Sequence, residues 1–318
     1  MAAKVRDEQY ADLANGVRLH YASAGETGKK PLLLFLHGFP EAWFSWEAQL
    51  AEFGADYFAV APDLRGFNRS SKPAAVEAYR ARHLVEDIRL LIEYLGYESA
   101  VVVAHDWGGA VAWNLAVFHP ELVERLIIVN SPHPWLFMRD LTSNPTQQSA
   151  SAYMNWLRAP GSETALVKND FKAIEGFFHD ASGVAPAWFT PQVRDRYHAM
   201  WSIPGASDAD GKASHGMTGG VNYYRATPLH PPLPDRDRDS PAPVFKVQDW
   251  IVRVPVRVIW AEADRALPIN LLDGLESVCP DLRVERIPGG SHWIVHEQPE
   301  RVNALLRGFL SEDTVVSR

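Results

Sequence analysis

Five stretches of this chain are apolar at nearly every position: 31–36 (PLLLFL), 57–61 (YFAVA), 100–104 (AVVVA), 126–129 (LIIV) and 254–261 (VPVRVIWA). A strand with one wet face alternates apolar and polar residues; a continuous apolar run belongs to a strand covered on both faces. Helical patterns lie between these runs, at 45–53, 83–95 and 108–118. Strand and helix in alternation build a parallel sheet with helices on both sides. Upstream, Asn15-Gly16 sits between two alternating segments, 10–14 and 17–22, and reads as a hairpin turn. The 318 residues, 47% of them apolar, are enough for one such core with an insertion.

The rhythm stops after "VNSPHP" (129–134) and resumes at Val254. Between them the chain is helical, aromatic and rich in loops, with no buried-strand run. Its segment 227–243 (TPLHPPLPDRDRDSPAP) holds too much proline for regular structure. The expected organisation is an α/β core from 1–134 and 247–318, interrupted by a helical cap, 135–246, lying over one end of the sheet.

Charge and cysteine narrow the function classes. The net charge of −8 comes without a basic run, which argues against a nucleic-acid partner. One cysteine, Cys279, excludes an internal disulfide, fits a reducing compartment and reads as a packed small residue. No apolar run is long enough to span a bilayer, and the charged start "MAAKVRDEQY" lacks a signal-peptide core, so a cytoplasmic protein is expected. The histidines are scattered without metal-site spacing, and the loop after the first buried run is not the glycine-rich loop of a nucleotide site. No metal and no cofactor are expected. The partners left are a small-molecule substrate and, for a homodimer, a second copy of the chain.

Active sites of open α/β sheets form at the carboxyl ends of the strands. Four such ends here carry polar groups: His37-Gly38-Phe39-Pro40, His105-Asp106-Trp107-Gly108-Gly109, Asp264, and Gly289-Gly290-Ser291-His292-Trp293. Taken singly, Asp106 could cap the next helix, Asp264 could cap a loop, and His292 could be a satisfied loop histidine. His37 and His105 are expected to hold loops, and Asp63 to tie down its own loop with Arg65. Taken in order, the set resembles the α/β-hydrolase family over nearly the whole chain. The small-x-nucleophile-x-small elbow is matched by Ala104-His105-Asp106-Trp107-Gly108, with alanine where glycine is usual. The order nucleophile, acid, histidine is matched by Asp106, Asp264 and His292. The resemblance implies an oxyanion hole from the backbone N–H groups of Phe39 and Trp107.

A carboxylate at the elbow changes the chemistry. Serine attacking a saturated carbon would leave an inert ether. Aspartate leaves an alkyl ester, whose carbonyl water can attack. Asp106 therefore points to substitution at an epoxide or alkyl halide, with His292 activating water and Asp264 orienting it. The leaving group separates the two. An epoxide leaves an alkoxide and needs an acid, and epoxide hydrolases of this fold supply two cap tyrosines. "AYMNWLRAPG" and "VNYYRA" resemble those motifs and place Tyr153 and Tyr224 in the two positions; packing is their alternative role. Phe39 within His-Gly-x-Pro is similar to epoxide hydrolases, where haloalkane dehalogenases carry asparagine. Trp107 stands where fluoroacetate dehalogenases carry arginine. Trp107, Phe39, Trp156, Tyr223 and Trp293 are expected to contact substrate, with Tyr223 also packing. Trp156, Phe177, Phe178, Trp188, Phe189 and Trp201 are expected to line or roof an apolar pocket, with core packing an equal alternative for any one of them. The resemblance implies an epoxide hydrolase; a haloalkane or haloacid dehalogenase and a non-catalytic ligand-binding protein of this fold remain alternatives.

Overall fold

The computed structural model describes residues 3–205, 215–233 and 246–312. Eight strands form one sheet: β1 (Arg6–Asp12), β2 (Arg18–Ala24), β3 (Leu32–Leu36), β4 (Phe58–Pro62), β5 (Ala100–His105), β6 (Val123–Val129), β7 (Val256–Ala261) and β8 (Leu282–Ile287). Their order is β1-β2-β4-β3-β5-β6-β7-β8. Only β2 runs against the rest. All five residues of β3 and β4 and all six of β5 are buried, which is why these runs are continuous rather than alternating. Each large side chain so buried contributes about 2 kcal/mol. The hairpin turn is longer than a two-residue type: Leu13 donates to Val17 O and Gly16 to Leu13 O, with Gly16 at positive φ.

Helices cover the sheet. α1 (Glu47–Phe53) and α2 (Ala81–Tyr94) are amphipathic, and α2 buries Leu84, Val85, Ile88 and Leu91. α3 (Asp106–Phe118) is apolar nearly all round and lies largely buried. Between β6 and β7 come α4 (Pro134–Ser143), α5 (Pro145–Ala150), α6 (Ala152–Arg158), α7 (Ser162–Glu175), α8 (Pro191–Trp201) and α9 (Thr218–Ala226), with no strand among the described residues. After β8 follow α10 (Ile294–Glu297) and α11 (Pro299–Leu310). Of the proline-rich segment, 234–243 lies outside the described residues. No described helix is long and apolar enough to cross a membrane. Cys279 is buried, and burial pushes its thiol up to about 12.

The topology sets where a site can form. From β3 the chain moves to β4 on one side, then crosses to β5 on the other. The loops leaving β3 and β5 therefore diverge, and a crevice opens between their carboxyl ends.

One sequence expectation is corrected here. Asp63 does not pair with Arg65. Its carboxylate accepts from Trp43 N (2.9 Å) and Asn68 Nδ2 (2.8 Å) and meets His20 Nδ1 at 2.6 Å. Arg65 instead makes a bidentate pair with Asp87 of α2, at 2.6 and 2.7 Å. The chain turns between them, Phe67 N–H donating to Leu64 O at 3.0 Å, so the two side chains do not share a face and each finds its own partner.

Candidate active site

The turn from β5 to α3 is tight enough to expel side chains. A Cβ on Gly108 would sit 2.3 Å from Leu36 O, and one on Gly38 would sit 2.4 Å from Asp106 Cβ. Asp106 between them has φ +49°, a conformation costly for a side chain with a Cβ. It is held there by Ser131 Oγ donating to its carbonyl (2.7 Å) and Phe39 N–H donating to its Oδ1 (2.7 Å). The Trp107 N–H lies in the first turn of α3, where helix geometry provides no partner, and the helix dipole favours negative charge at that end.

Three carboxyl ends of strands converge. His292 Nε2 stands 3.7 Å from Asp106 Oδ2, and its Nδ1 is 2.6 Å from Asp264 Oδ2. Asp264 is anchored by N–H donors from Ala266 and Leu267 at 2.9 Å and by Asn130 Nδ2 at 2.9 Å. Burial works against its charge, but His292 and these donors hold it below the usual carboxylate range. Burial likewise opposes charge on His292. The Asp264, Asp106 and Glu41 carboxylates outweigh it and lift the imidazole to about 9.

From above, Tyr153 of α6 and Tyr224 of α9 reach the same space. Their rings lie 6.0 Å apart, and Tyr224 meets Trp107 edge-on at 5.0 Å. The Tyr224 hydroxyl interacts with both the Trp107 indole and the Tyr153 hydroxyl. Both tyrosine pKa values are raised, by burial first and by the Asp106 carboxylate after it, so both remain protonated donors. Asp106, Trp107, Tyr153, Tyr223 and Tyr224 line one cavity, whose empty space including its mouth is about 990 Å³.

Other sequence-predicted residues stand elsewhere. Trp156 is 44% exposed: α6 turns Tyr153, Met154 and Leu157 inward, and a residue on the remaining face meets solvent. Phe39 and Trp293 are buried but absent from the cavity wall. Phe39 packs on Phe177 and Tyr224. Trp293 packs on Phe178 at 4.6 Å and donates its indole N–H to Phe177 O at 3.0 Å. Phe178 also packs on Trp188, Phe189 and Trp201. That cluster joins the helices to the core instead of roofing the cavity, because aromatics bury more area against each other than against an open space. Tyr223 donates to Arg65 O at 2.8 Å. His37 bridges Gly38 O and Leu64 N at 2.8 and 3.0 Å, holding its loop.

Sequence reasoning passed over several groups. Asn130 and Ser131, polar residues at the end of β6, support Asp264 and the elbow; their place at a strand end was the available signal. Glu41 is buried, with His105 Nδ1 at 3.3 Å, His296 Nε2 at 2.5 Å and the Tyr197 hydroxyl at 3.1 Å. His105 Nε2 in turn meets the His292 carbonyl at 2.9 Å, so this cluster underlies the catalytic histidine candidate. Burial disfavours the Glu41 charge, yet the two histidines keep its pKa lowered. A lone carboxylate in the apolar "FPEAWF" was the clue. Among the described residues no cluster has the makeup of a metal site.

The model of the alpha/beta hydrolase fold family matches residues 31–299. The chain is 35% identical over 305 residues to mouse Epoxide hydrolase 4, covering 94% of this chain and 78% of the relative. The chain belongs to the α/β-hydrolase family, in its epoxide hydrolase branch. This α/β hydrolase also superposes on a Bacillus megaterium epoxide hydrolase solved with an inhibitor, with TM-score 0.82 and 36% identity, covering 96% of this chain and all of the other. A mutant of the Bacillus megaterium enzyme, solved with its product (R)-3-[1]naphthyloxy-propane-1,2-diol, matches at TM-score 0.82, with 35% identity and the same coverage. The α/β hydrolase described here is thus an enzyme of the hydrolase class.

Proposed function

We propose that this hydrolase opens an epoxide to a vicinal diol through an ester on Asp106, with 135–246 acting as the cap over a core of 1–134 and 247–318. The observation that carries the reading is the pair of cap tyrosines sharing one cavity with a carboxylate whose two oxygens differ. Oδ1 is held by the Phe39 N–H, and Oδ2 remains for bond formation. Oδ2 attacks an epoxide carbon, the C–O bond opens, and Tyr153 and Tyr224 deliver a proton to the departing oxygen. Before attack the Asp106 charge holds protons on the tyrosines. As that charge passes to the epoxide oxygen, the opposition to proton release falls. No observation favours a halide over this leaving group, and the product held by the similar Bacillus megaterium enzyme is an aryloxy diol.

Hydrolysis follows. Water gives a proton to His292 and adds to the ester carbon of Asp106. Oδ1 becomes the oxyanion and meets the N–H groups of Phe39 and Trp107; losing one such donor costs about 3 kcal/mol. Collapse expels the second alcohol oxygen, which takes the proton from His292 and leaves Asp106 as the acid; that acid gives its proton to solvent, and solvent returns one to the tyrosine. One turnover in heavy-oxygen water should therefore label the Asp106 carboxylate and leave the diol unlabelled. Label in the diol alone would mean direct attack by water and would end the ester reading. Styrene oxide should give diol, and 1-bromobutane should give no faster release of bromide.

The resting pKa of about 9 makes His292 an imidazolium at neutral pH, unfit as a base. Esterification removes the Asp106 charge, one of the groups that raises it, so the pKa falls when a base is needed. The pKa governing ester hydrolysis in single-turnover experiments is expected below that of His292 titrated by NMR in the free enzyme. A value equal to or above the free-enzyme one would contradict this coupling.

A further inference from the structure

The cavity over Asp106 is lopsided. Its reactive groups crowd one end, while the rest of the wall is apolar, with Leu84, Phe137, Met154, Leu229, Trp250 and Leu267. α3 forms one side of it through Asp106, Ala110 and Asn114, spaced four apart and so on one face of the helix. At 1.5 Å of rise per residue, Asn114 lies about 12 Å from the nucleophile along that face.

The other polar side chains of the wall are already engaged. The Tyr79 hydroxyl donates to Pro73 O (2.8 Å), Tyr223 to Arg65 O (2.8 Å) and Ser131 to Asp106 O (2.7 Å), while Thr227 Oγ1 accepts from Leu229 N (3.1 Å). Asn114 is different. Its Nδ2 donates to Ala110 O at 2.8 Å, which orients the amide and leaves Oδ1 as an acceptor. Among the described residues nothing donates to Oδ1. Asparagine is a poor helix former, and leucine here would improve both helix and wall. A polar residue kept against local preference is a mark of function.

We propose that the substrate is an epoxide at the end of an apolar tail with a hydrogen-bond donor, a hydroxyl or amide N–H, at its far end, and that Asn114 Oδ1 accepts from that donor. The proposal rests on the epoxide reading above. An extended chain advances roughly 1.2 Å per bond, so the span to Asn114 corresponds to about ten bonds. A terminal carboxylate does not fit: it would set an acceptor against an acceptor, and among the described residues the wall holds no Lys, Arg or His to pair with it.

Four probes test this on the intact enzyme: 1,2-epoxybutane, 1,2-epoxydecane, 9,10-epoxydecan-1-ol and 9,10-epoxydecanoic acid. Each buried methylene is worth about fourfold, so kcat/KM should rise by roughly 10²-fold or more from epoxybutane to epoxydecane. Epoxydecanol should match or exceed epoxydecane, and the acid should fall well below both. In Asn114→Leu the ratio of kcat/KM for epoxydecanol to that for epoxydecane should drop about tenfold, mostly in KM, because a remote contact binds ground and transition states alike. Epoxybutane turned over as well as epoxydecane, the acid preferred, or a ratio unmoved in Asn114→Leu would each overturn the proposal while leaving epoxide opening intact. The wild-type series decides the tail even if the variant folds poorly. No diol from any probe would defeat the epoxide reading, and this proposal with it.

Discussion

Replacing His292 by glutamine should leave an enzyme that alkylates itself once and then stops. Attack by Asp106 needs a carboxylate and an acid for the leaving oxygen, and His292 supplies neither. Hydrolysis needs a base within reach of a water beside the ester carbon, and His292 Nε2, 3.7 Å from Asp106 Oδ2, is the group so placed. Glutamine keeps side-chain bulk and some hydrogen bonding but cannot take the proton. Steady-state turnover should fall roughly 10³- to 10⁴-fold. Mass spectrometry of enzyme quenched after mixing with an epoxide should find one added substrate mass, located on Asp106. A protein of unchanged mass, with substrate shown to bind, would remove the covalent mechanism. Full turnover would remove His292 from the chemistry.

Tyr153→Phe combined with Tyr224→Phe should abolish ring opening while the protein stays folded. Phenylalanine keeps both rings, so the edge contacts with Trp107 and Phe177 persist and only two hydroxyls disappear. Without them the epoxide oxygen must leave as a bare alkoxide in a largely apolar cavity. The rate of ester formation should fall by about 10³-fold or more, and no mass adduct should accumulate even with His292→Gln added. Each single variant should lose less, since the neighbouring hydroxyl still reaches the oxygen. Diol formed at the original rate by the double variant would show that these tyrosines only pack.

Position along the chain carried much of this site. The elbow from Ala104 to Gly108 is local: one strand end, one turn and one helix start, with small residues where backbone lies close. Asp264 and His292 also follow strands directly, and chain order alone places them on the same edge of a parallel sheet. The Glu41 cluster was hidden because its members come from four separate segments, at 41, 105, 197 and 296. Trp156 illustrates the converse, since motif proximity to Tyr153 gives no direction to a side chain. A short helix has one inward stripe, and only packing shows which.

The sequence by itself determined the alternation that yields the sheet and the carboxylate at the β5–α3 turn. These depend on neighbours a few residues away, where backbone geometry leaves few choices. Tertiary structure alone decided which aromatics face the cavity, which carboxylates surround His292 and raise its pKa, and that Asn114 stands in an apolar wall two helical turns from Asp106. Those outcomes depend on how helices far apart in the chain settle on one another, and burial and hydrogen bonding fix that only when the whole core closes.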